Sequence, residues 1–346
     1  MKKLFVSALA IASLVACSND ELVNADREAI AFDNAFVDNA TRSVESTSVT
    51  TNDLFNIDVF GFVEGHPLFN NGGGQNRTLL RRNNVSAPWT YDCKQYWIPG
   101  AKYDFMAVRP NNTYRSTWTI TAEGITIPEI KNFNNGMSDG LSDYLYAQTE
   151  TIEGKVSENA PVAFTFRHIL SKVKFTFENA YNANNTTIQV HDIKILNAIE
   201  TAAVALTRTT TTWSNWAGSL EIPFGNASTD ARNAVQVMNY GDVVESFWER
   251  MLIPGAVTGG YKVQFTYDIL VGGNLIKSFT ENITIPEATF TPQVGHAYDL
   301  KAVIKPGQAI EFTVNKLIDW DKDHDGKENT PESDTNGDEQ VETPIY

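Results

Sequence analysis

Residues 162–177 read VAFTFRHILSKVKFTF, and the period of this stretch decides the fold. Val162–Phe166 and Lys172–Phe177 place apolar side chains at alternate positions and draw them from β-branched and aromatic types, the signature of a half-buried strand. His168 falls in phase with Phe164 and Phe166. It therefore reads as a hydrogen-bonding histidine in a core or at a domain seam rather than as a catalytic base. The same alternation recurs in IDVFGFV (57–63), KYDFMAV (102–108), TIQVHDIKIL (187–196), YKVQFTYDIL (261–270), SFTENITI (278–285) and IEFTV (310–314). Each run presents one face to a core and one to solvent, as antiparallel sandwiches require. Helical period is hard to find; short turns around Ser138–Tyr144 and Asn239–Glu245 are the most it supports. The expected class is all-β, with two antiparallel β-sandwich domains and few short helices.

A faint internal repeat supports two domains. Ile98-Pro99-Gly100 precedes one strand and is followed by Ile125-Thr126-Ile127-Pro128-Glu129; Ile253-Pro254-Gly255 and Ile283-Thr284-Ile285-Pro286-Glu287 repeat that order. Pro and Gly turn the chain between strands, and the proline of each ITIPE is expected to stop a strand whose ladder it cannot continue. The expected division is a signal peptide over 1–16, a leader with a first strand over 17–44, sandwiches over 45–160 and 161–320, and an acidic tail over 321–346. That tail carries nine acidic residues against two lysines and is too charged to pack.

The N-terminus, MKKLFVSALAIASLVAC, joins two lysines to an apolar run, Leu4–Ala16, that is too short to span a bilayer and suits an export signal. Leu14-Val15-Ala16-Cys17 resembles the bacterial lipobox, which implies acylation of Cys17 and tethering to the outer membrane without a spanning helix. Ser18-Asn19-Asp20-Glu21 reads either as a soluble leader or, by resemblance, as the acidic surface-export signal of Bacteroidetes lipoproteins. Cys93 is the one other cysteine, so no intramolecular disulfide forms unless Cys17 escapes lipidation. A formal net charge of -15 argues against a nucleic-acid partner.

Little chemistry is legible. His66, His168, His191, His296 and His324 are scattered and form no close-spaced ligand set with Cys93. Cys93 shares phase with Trp89 and Tyr91 and reads as a buried small hydrophobe. Gly72-Gly73-Gly74 lacks the lysine and following helix of a phosphate loop and reads as a flexible surface loop. Asp321, Asp323, Asp325, Gly326 and Glu332 have the spacing of a calcium loop, the single cofactor the sequence suggests. Against that, Glu328 occupies the position that wants an apolar anchor and no amphipathic helix flanks the loop; the alternative is an acidic spacer. Trp89, Tyr96, Trp97, Trp118, Trp213, Trp216 and Trp248 are either sandwich core or, where exposed, platforms for a glycan or a host protein.

FTFRHILSKVKFTF (164–177), SDYLYAQ (142–148), LIPGAVTGGYKVQFTYDI (252–269) and ITIPEATFTPQVGHAYDLKAVI (283–304), set behind a lipobox, resemble the fimbrillin-like proteins of Bacteroidales, the subunits of type V pili. Arg167, His168, Ser171 and Lys172 form the most distinctive piece. The resemblance implies sandwiches of transthyretin-like type, a structural rather than enzymatic role, export to the cell surface, and cleavage by a surface protease after the first strand. It further implies that another subunit fills the groove so opened, giving a head-to-tail fimbria. In this sequence the matching stretch is IAFDNAFVDNATRSVES (30–46), with Ile30, Phe32 and Phe36 on one strand face and the cleavage point at Arg42-Ser43. Family stalk subunits donate a strand from the C-terminal region. Here Ile310, Phe312, Val314 and Ile318 are the best anchors for such a strand, and equally the last strand of the second sandwich. A monomeric tethered adhesin, or an accessory or anchoring fimbrial subunit, is the alternative.

Overall fold

The computed structural model describes residues 27–37, 54–69, 76–84, 86–109, 116–132, 143–224, 237–246, 249–305 and 307–319. Among them there is no helix, and the strands, numbered in chain order, form four sheets. The first sheet runs β1 (Phe32–Val37), β10 (Val162–His168), β8 (Leu145–Gln148), β5 (Lys102–Arg109), β2 (Asn56–Val63) and β3 (His66–Pro67), with β4 (Thr78–Arg81) beside β2 and β9 (Ile152–Glu153) beside β5. The second runs β14 (Thr211–Ala217), β13 (Thr201–Thr207), β7 (Gly124–Lys131) and β6 (Thr119–Thr121). The third runs β17 (Val243–Glu245), β11 (Ser171–Asn179), β21 (His296–Ile304) and β22 (Phe312–Asp319), with β18 (Arg250–Leu252) beside β11. The fourth runs β15 (Leu220–Pro223), β12 (Thr186–Ala198), β19 (Tyr261–Val271) and β20 (Asn274–Ile285), with β16 (Val237–Met238) beside β12.

Alternation translates directly into layers. In β10 the burial alternates along the strand, Val162, Phe164, Phe166 and His168 being buried and Ala163 and Thr165 exposed. Phe175 and Phe177 of the third sheet meet Phe265 of the fourth and Phe312 of β22 in one aromatic cluster, with ring centroids 4.9–5.9 Å apart. One face of the first sheet is covered by segments that carry Phe69, Trp89 and Trp97. Its other face, with Phe60, Met106 and Tyr146, packs on Ile125, Ile127, Val204 and Trp213 of the second sheet.

Several expectations need correction. Not every ladder is antiparallel: β1 lies parallel to β10 and β11 parallel to β21. Long connections separate both pairs, so no tight hairpin imposes antiparallel pairing. Pro128 does not stop its strand; β7 continues through it to Lys131, with a register slip between the Ile127 and Ile130 partners. The ladder to β6 has ended at Thr126, and a bulge tolerates a residue without an N–H. Pro286, in contrast, does follow the last residue of β20. Asn239–Glu245 forms a turn at Tyr240-Gly241 and then β17, while the other expected turn falls partly on residues 138–142, outside the described residues. Cys93 is half-buried at φ 56°, in a bend rather than a strand.

Hydrogen-bonded strands cross the division expected at residue 160. β10 belongs to the first sheet, and the β13–β14 hairpin pairs with β7 from the other half of the chain.

A deeper repeat than IPG links β5 and β21. Tyr103-Asp104-Phe105-Met106-Ala107-Val108 matches Tyr298-Asp299-Leu300-Lys301-Ala302-Val303. The Tyr103 hydroxyl accepts from Ile98 N–H (2.8 Å) and donates to Tyr96 O (3.4 Å); that of Tyr298 accepts from Gln293 N–H (3.1 Å) and donates to Thr291 O (3.1 Å). Asp104 and Asp299 each accept from a threonine hydroxyl, Thr151 at 2.6 Å and Thr176 at 2.5 Å. Burial raises both phenols, keeping them neutral donors. Each tyrosine therefore ties the incoming turn to its strand. Tyr103→Phe and Tyr298→Phe should each cost about 1–3 kcal/mol, because each leaves a backbone N–H unpaired; urea unfolding checks this, and two unchanged midpoints would contradict it.

Candidate functional site: the strand closing the first sheet

The segment from Glu28 to Val37 lies against the rest of the first sheet in two different ways. Over residues 28–31 it is bonded on both flanks. Ile30 N–H donates to Gln95 O (2.8 Å) and Trp97 N–H to Glu28 O (3.0 Å), while Val162 N–H donates to Ala31 O (2.8 Å) on the other side. From Phe32 onward it pairs, among the described residues, with β10 alone, at the end of the sheet. One end is clamped and the other is an edge.

Side chains reinforce the clamped end. Asn159 donates to the Glu28 carboxylate from its backbone N–H (2.9 Å) and its amide (2.7 Å). Those bonds hold the Glu28 carboxyl below its ordinary range. The Tyr91 hydroxyl donates to Ile30 O (2.9 Å) and accepts from Gln95 N–H (3.1 Å). Burial pushes its phenol up to about 12. Ile30 and Phe32, 2 % and 5 % exposed, enter the core of the first sheet. Phe32 stacks on Phe164 at 6.0 Å and meets Tyr91 and Phe105 edge-on at 5.4 and 5.7 Å.

The register departs from the expected phase at one residue. Phe32 pairs with Val162 and Asp33 with Ala163, but Ala35, not Asn34, pairs with Phe164. Asn34 is therefore an inserted residue, and the backbone of Phe36 takes the register of Thr165. Ala35 and Val37 take the register of buried Phe164 and Phe166.

The second edge of interest is β22. It pairs antiparallel with β21 and ends the third sheet. Phe312 is buried in the core between the third and fourth sheets, Ile310 and Val314 pack against that core, and Ile318 pairs with Ala297. Cys17, Arg42, Ser43, Asp321, Asp323, Asp325, Glu332, His324, Trp248 and Gly72–Gly74 lie outside the described residues.

The RH-x-x-SK group is a seam. The Arg167 guanidinium donates to Thr207 O (2.5 Å), Arg208 O (2.7 Å), Thr210 O (2.8 Å) and Thr211 Oγ1 (3.2 Å), gripping the turn of the β13–β14 hairpin. His168 Nδ1 is 3.0 Å from Asp143 Oδ1, both side chains fully buried. Ser171 donates to Gln293 O, and Lys172 pairs with Glu249 at 3.2 Å. Each partner lies on a different segment, so four near-consecutive residues hold four segments together. Elsewhere His66 is exposed, His191 lies 2.8 Å from Asp192 and 3.3 Å from Asp268, and His296 Nδ1 is 2.7 Å from Val294 O. Among the described residues no three His, Cys, Asp or Glu side chains gather as a metal site. Trp89, Trp97, Trp118 and Trp213 are buried; Trp216 is 49 % exposed, its indole N–H held by Pro254 O at 2.7 Å.

Residues 41–320 match the fimbrillin-like family. The chain belongs to the fimbrillin-like family. Membership makes it a fimbrial or adhesion-related protein of the cell surface, in a family of non-enzymatic structural proteins. It is similar in structure to a protein of Bacteroides uniformis described as a putative cell adhesion protein, at 17% identity and TM-score 0.48 over 85% of this chain and 99% of that one. A fimbrial assembly protein of Parabacteroides distasonis is similar at 12% identity and TM-score 0.43, over 82% and 95% of the two chains. Likeness at this level adds no argument about function. No curated protein matches the chain.

Two expected outcomes follow for this fimbrillin-like chain. Phe32→Ala should weaken docking of the segment by about 3 kcal/mol, or roughly a hundredfold faster exchange of the Val162 amide; an unchanged rate would show that Phe32 does not hold the strand. Glu28 has a lowered carboxyl value in the folded chain, so its contribution is present above the ordinary 4.5 and lost as pH falls through the folded value. Thermal midpoints should therefore drop less with acid in Glu28→Gln than in the wild type; parallel curves would contradict the Glu28–Asn159 bond.

Proposed function

We propose that the chain is a structural subunit of a cell-surface fimbria. It is exported as a lipoprotein acylated at Cys17, cut between Arg42 and Ser43, and assembled head-to-tail when a neighbouring subunit's strand takes the place of Glu28–Val37. The observation that supports this most is the geometry of β1, an edge strand whose Ile30 and Phe32 fill a core built otherwise from residues beyond position 53.

The balance of forces suits a replaceable strand. Burying Ile30 and Phe32 contributes about 1.5–3 kcal/mol each, against roughly 1–2 kcal/mol per residue for ordering the backbone. Covalent attachment tips this balance, since a tethered strand competes at an effective concentration of order millimolar. A cut after the strand and loss of the lipid tether at its other end would remove that advantage. The slot then accepts any strand that supplies two apolar anchors and an edge of N–H and C=O groups. Different surfaces meet in such a contact, so it propagates into a filament instead of closing. In the donating subunit Ile310, Phe312, Val314 and Ile318 are the anchors on offer. Phe312 would have to leave its own aromatic cluster, so donation from β22 requires that edge strand to peel from β21.

The two-sided bonding of residues 28–31 favours a second reading, an accessory or anchoring subunit, or a tethered adhesin, that keeps its first strand. The mass of the surface-exposed form separates the two. Loss of residues 17–42 supports the polymerising subunit, and an intact acylated N-terminus supports the anchor. Arg42→Ala, produced in cells that carry the surface protease, should leave monomers. Filaments built by that variant would overturn cleavage at Arg42 as the trigger.

A further inference from the structure

β20 ends the fourth sheet and is another edge strand. It is a twelve-residue strand, Asn274–Ile285, bonded along its length to β19 and, among the described residues, to no strand on its other side. Natural edges of this length are blunted by proline, shortness, cover, bulges or charged side chains. The defences here are the bulge at Ile276 and the charges of Lys277 and Glu281, which a partner of complementary charge order would satisfy. The strand has no proline, and Leu275 and Ile276 are 58 % and 62 % exposed at its start.

Which backbone groups face outward follows from the hairpin. Val271 and Asn274 flank the two-residue turn Gly272-Gly273, both at positive φ (57° and 80°), and so form a hydrogen-bonded pair. Bonded and unbonded pairs alternate from there, with one slip at Ile276. Lys277, Phe279, Glu281, Ile283 and Ile285 thus bond to β19, and Ser278, Thr280, Asn282 and Thr284 turn their N–H and C=O groups to the open edge. Lys262, the partner of Thr284, confirms the phase: its N–H goes to Asn197 Oδ1 (2.7 Å), away from β20.

We infer that β20 is an interface for a second copy of this chain, the two strands pairing antiparallel about a two-fold axis through Phe279. The charge pattern selects this partner and register. With the axis at Phe279, Lys277 of each copy stands opposite Glu281 of the other, in an unbonded pair where side chains approach most closely, and the two Phe279 rings face each other. Ser278 and Thr280 then exchange backbone hydrogen bonds. An axis at Lys277 or Glu281 sets like charges opposite each other, and one at Ser278 or Thr280 leaves both charges facing uncharged residues. In the free chain the Lys277 ammonium rests 4.5 Å over its own Phe279 ring, already beside the axis. The paired edges make the fourth sheet continuous across two molecules. This contact is lateral, and it holds whether or not strands are exchanged at β1. One such edge is weak alone; an array of subunits would multiply it.

Sedimentation of the purified chain across a concentration series tests the inference, with circular dichroism confirming that each variant is folded. The wild type should form a concentration-dependent dimer. Lys277→Glu and Glu281→Lys should each weaken it about tenfold or more, since each substitution makes two like-charged pairs, and the double exchange should restore it. Thr280→Pro removes an outward N–H and leaves the β19 ladder intact, and should abolish the dimer. A wild type that stays monomeric at every concentration, a double exchange as weak as either single one, or a Thr280→Pro chain that dimerises undiminished would each overturn the inference.

Discussion

The bond from Val162 N–H to Ala31 O joins residues more than a hundred positions apart, and the order of the first sheet depends on what it secures. With it, a strand from the start of the chain lies parallel to β10 and covers the row Val162, Phe164 and Phe166. Without it, that row and the outer N–H and C=O groups of β10 become a bare edge beside an open core. A buried core tolerates neither unfilled volume nor unpaired backbone. The slot therefore requires an occupant, and the fold leaves open which chain provides it.

Around that slot the fold is stiff. The Tyr103 and Tyr298 turns fix the entries to β5 and β21, and Arg167, His168, Ser171 and Lys172 fix the passage from β10 to β11. β10 thus carries β1 along one edge and leads into the seam at its end. That stiffness, the family membership and the edge position of β1 together make the fimbrial reading coherent.

Much of the fold was legible in the sequence because alternation is a local property. VAFTF and YKVQFTYDIL fall on strands whose burial alternates as expected, whereas IDVFGFV, KYDFMAV and KVKFTF fall on strands buried largely on both faces, because other segments cover the side expected to meet solvent. What was not legible depends on partners. Asn34 is a bulge only relative to β10, so the run Ile30 to Phe36 shows no break in its own letters. The β13–β14 hairpin, rich in Thr and Ala, has weak alternation and earns its place by packing on β7. RH-x-x-SK was visible as a distinctive group, but its role as a seam lies in contacts up to 122 residues away. The Tyr-Asp repeat is legible in the letters alone, since Y-D-x-x-A-V occurs twice. The candidate slot was readable at Ile30 and Phe32, while its clamp, made by Tyr91, Gln95 and Asn159, has no local signature.

In the proposed assembly the slot opens to another strand only when its own is cut free. A labelled synthetic peptide of residues 27–42 tests this by fluorescence anisotropy against the intact chain and against the chain severed between Arg42 and Ser43 and washed of its leader. The severed chain should bind the peptide and the intact chain should not. A severed chain that refuses the peptide, or an intact chain that binds it equally well, would contradict the account.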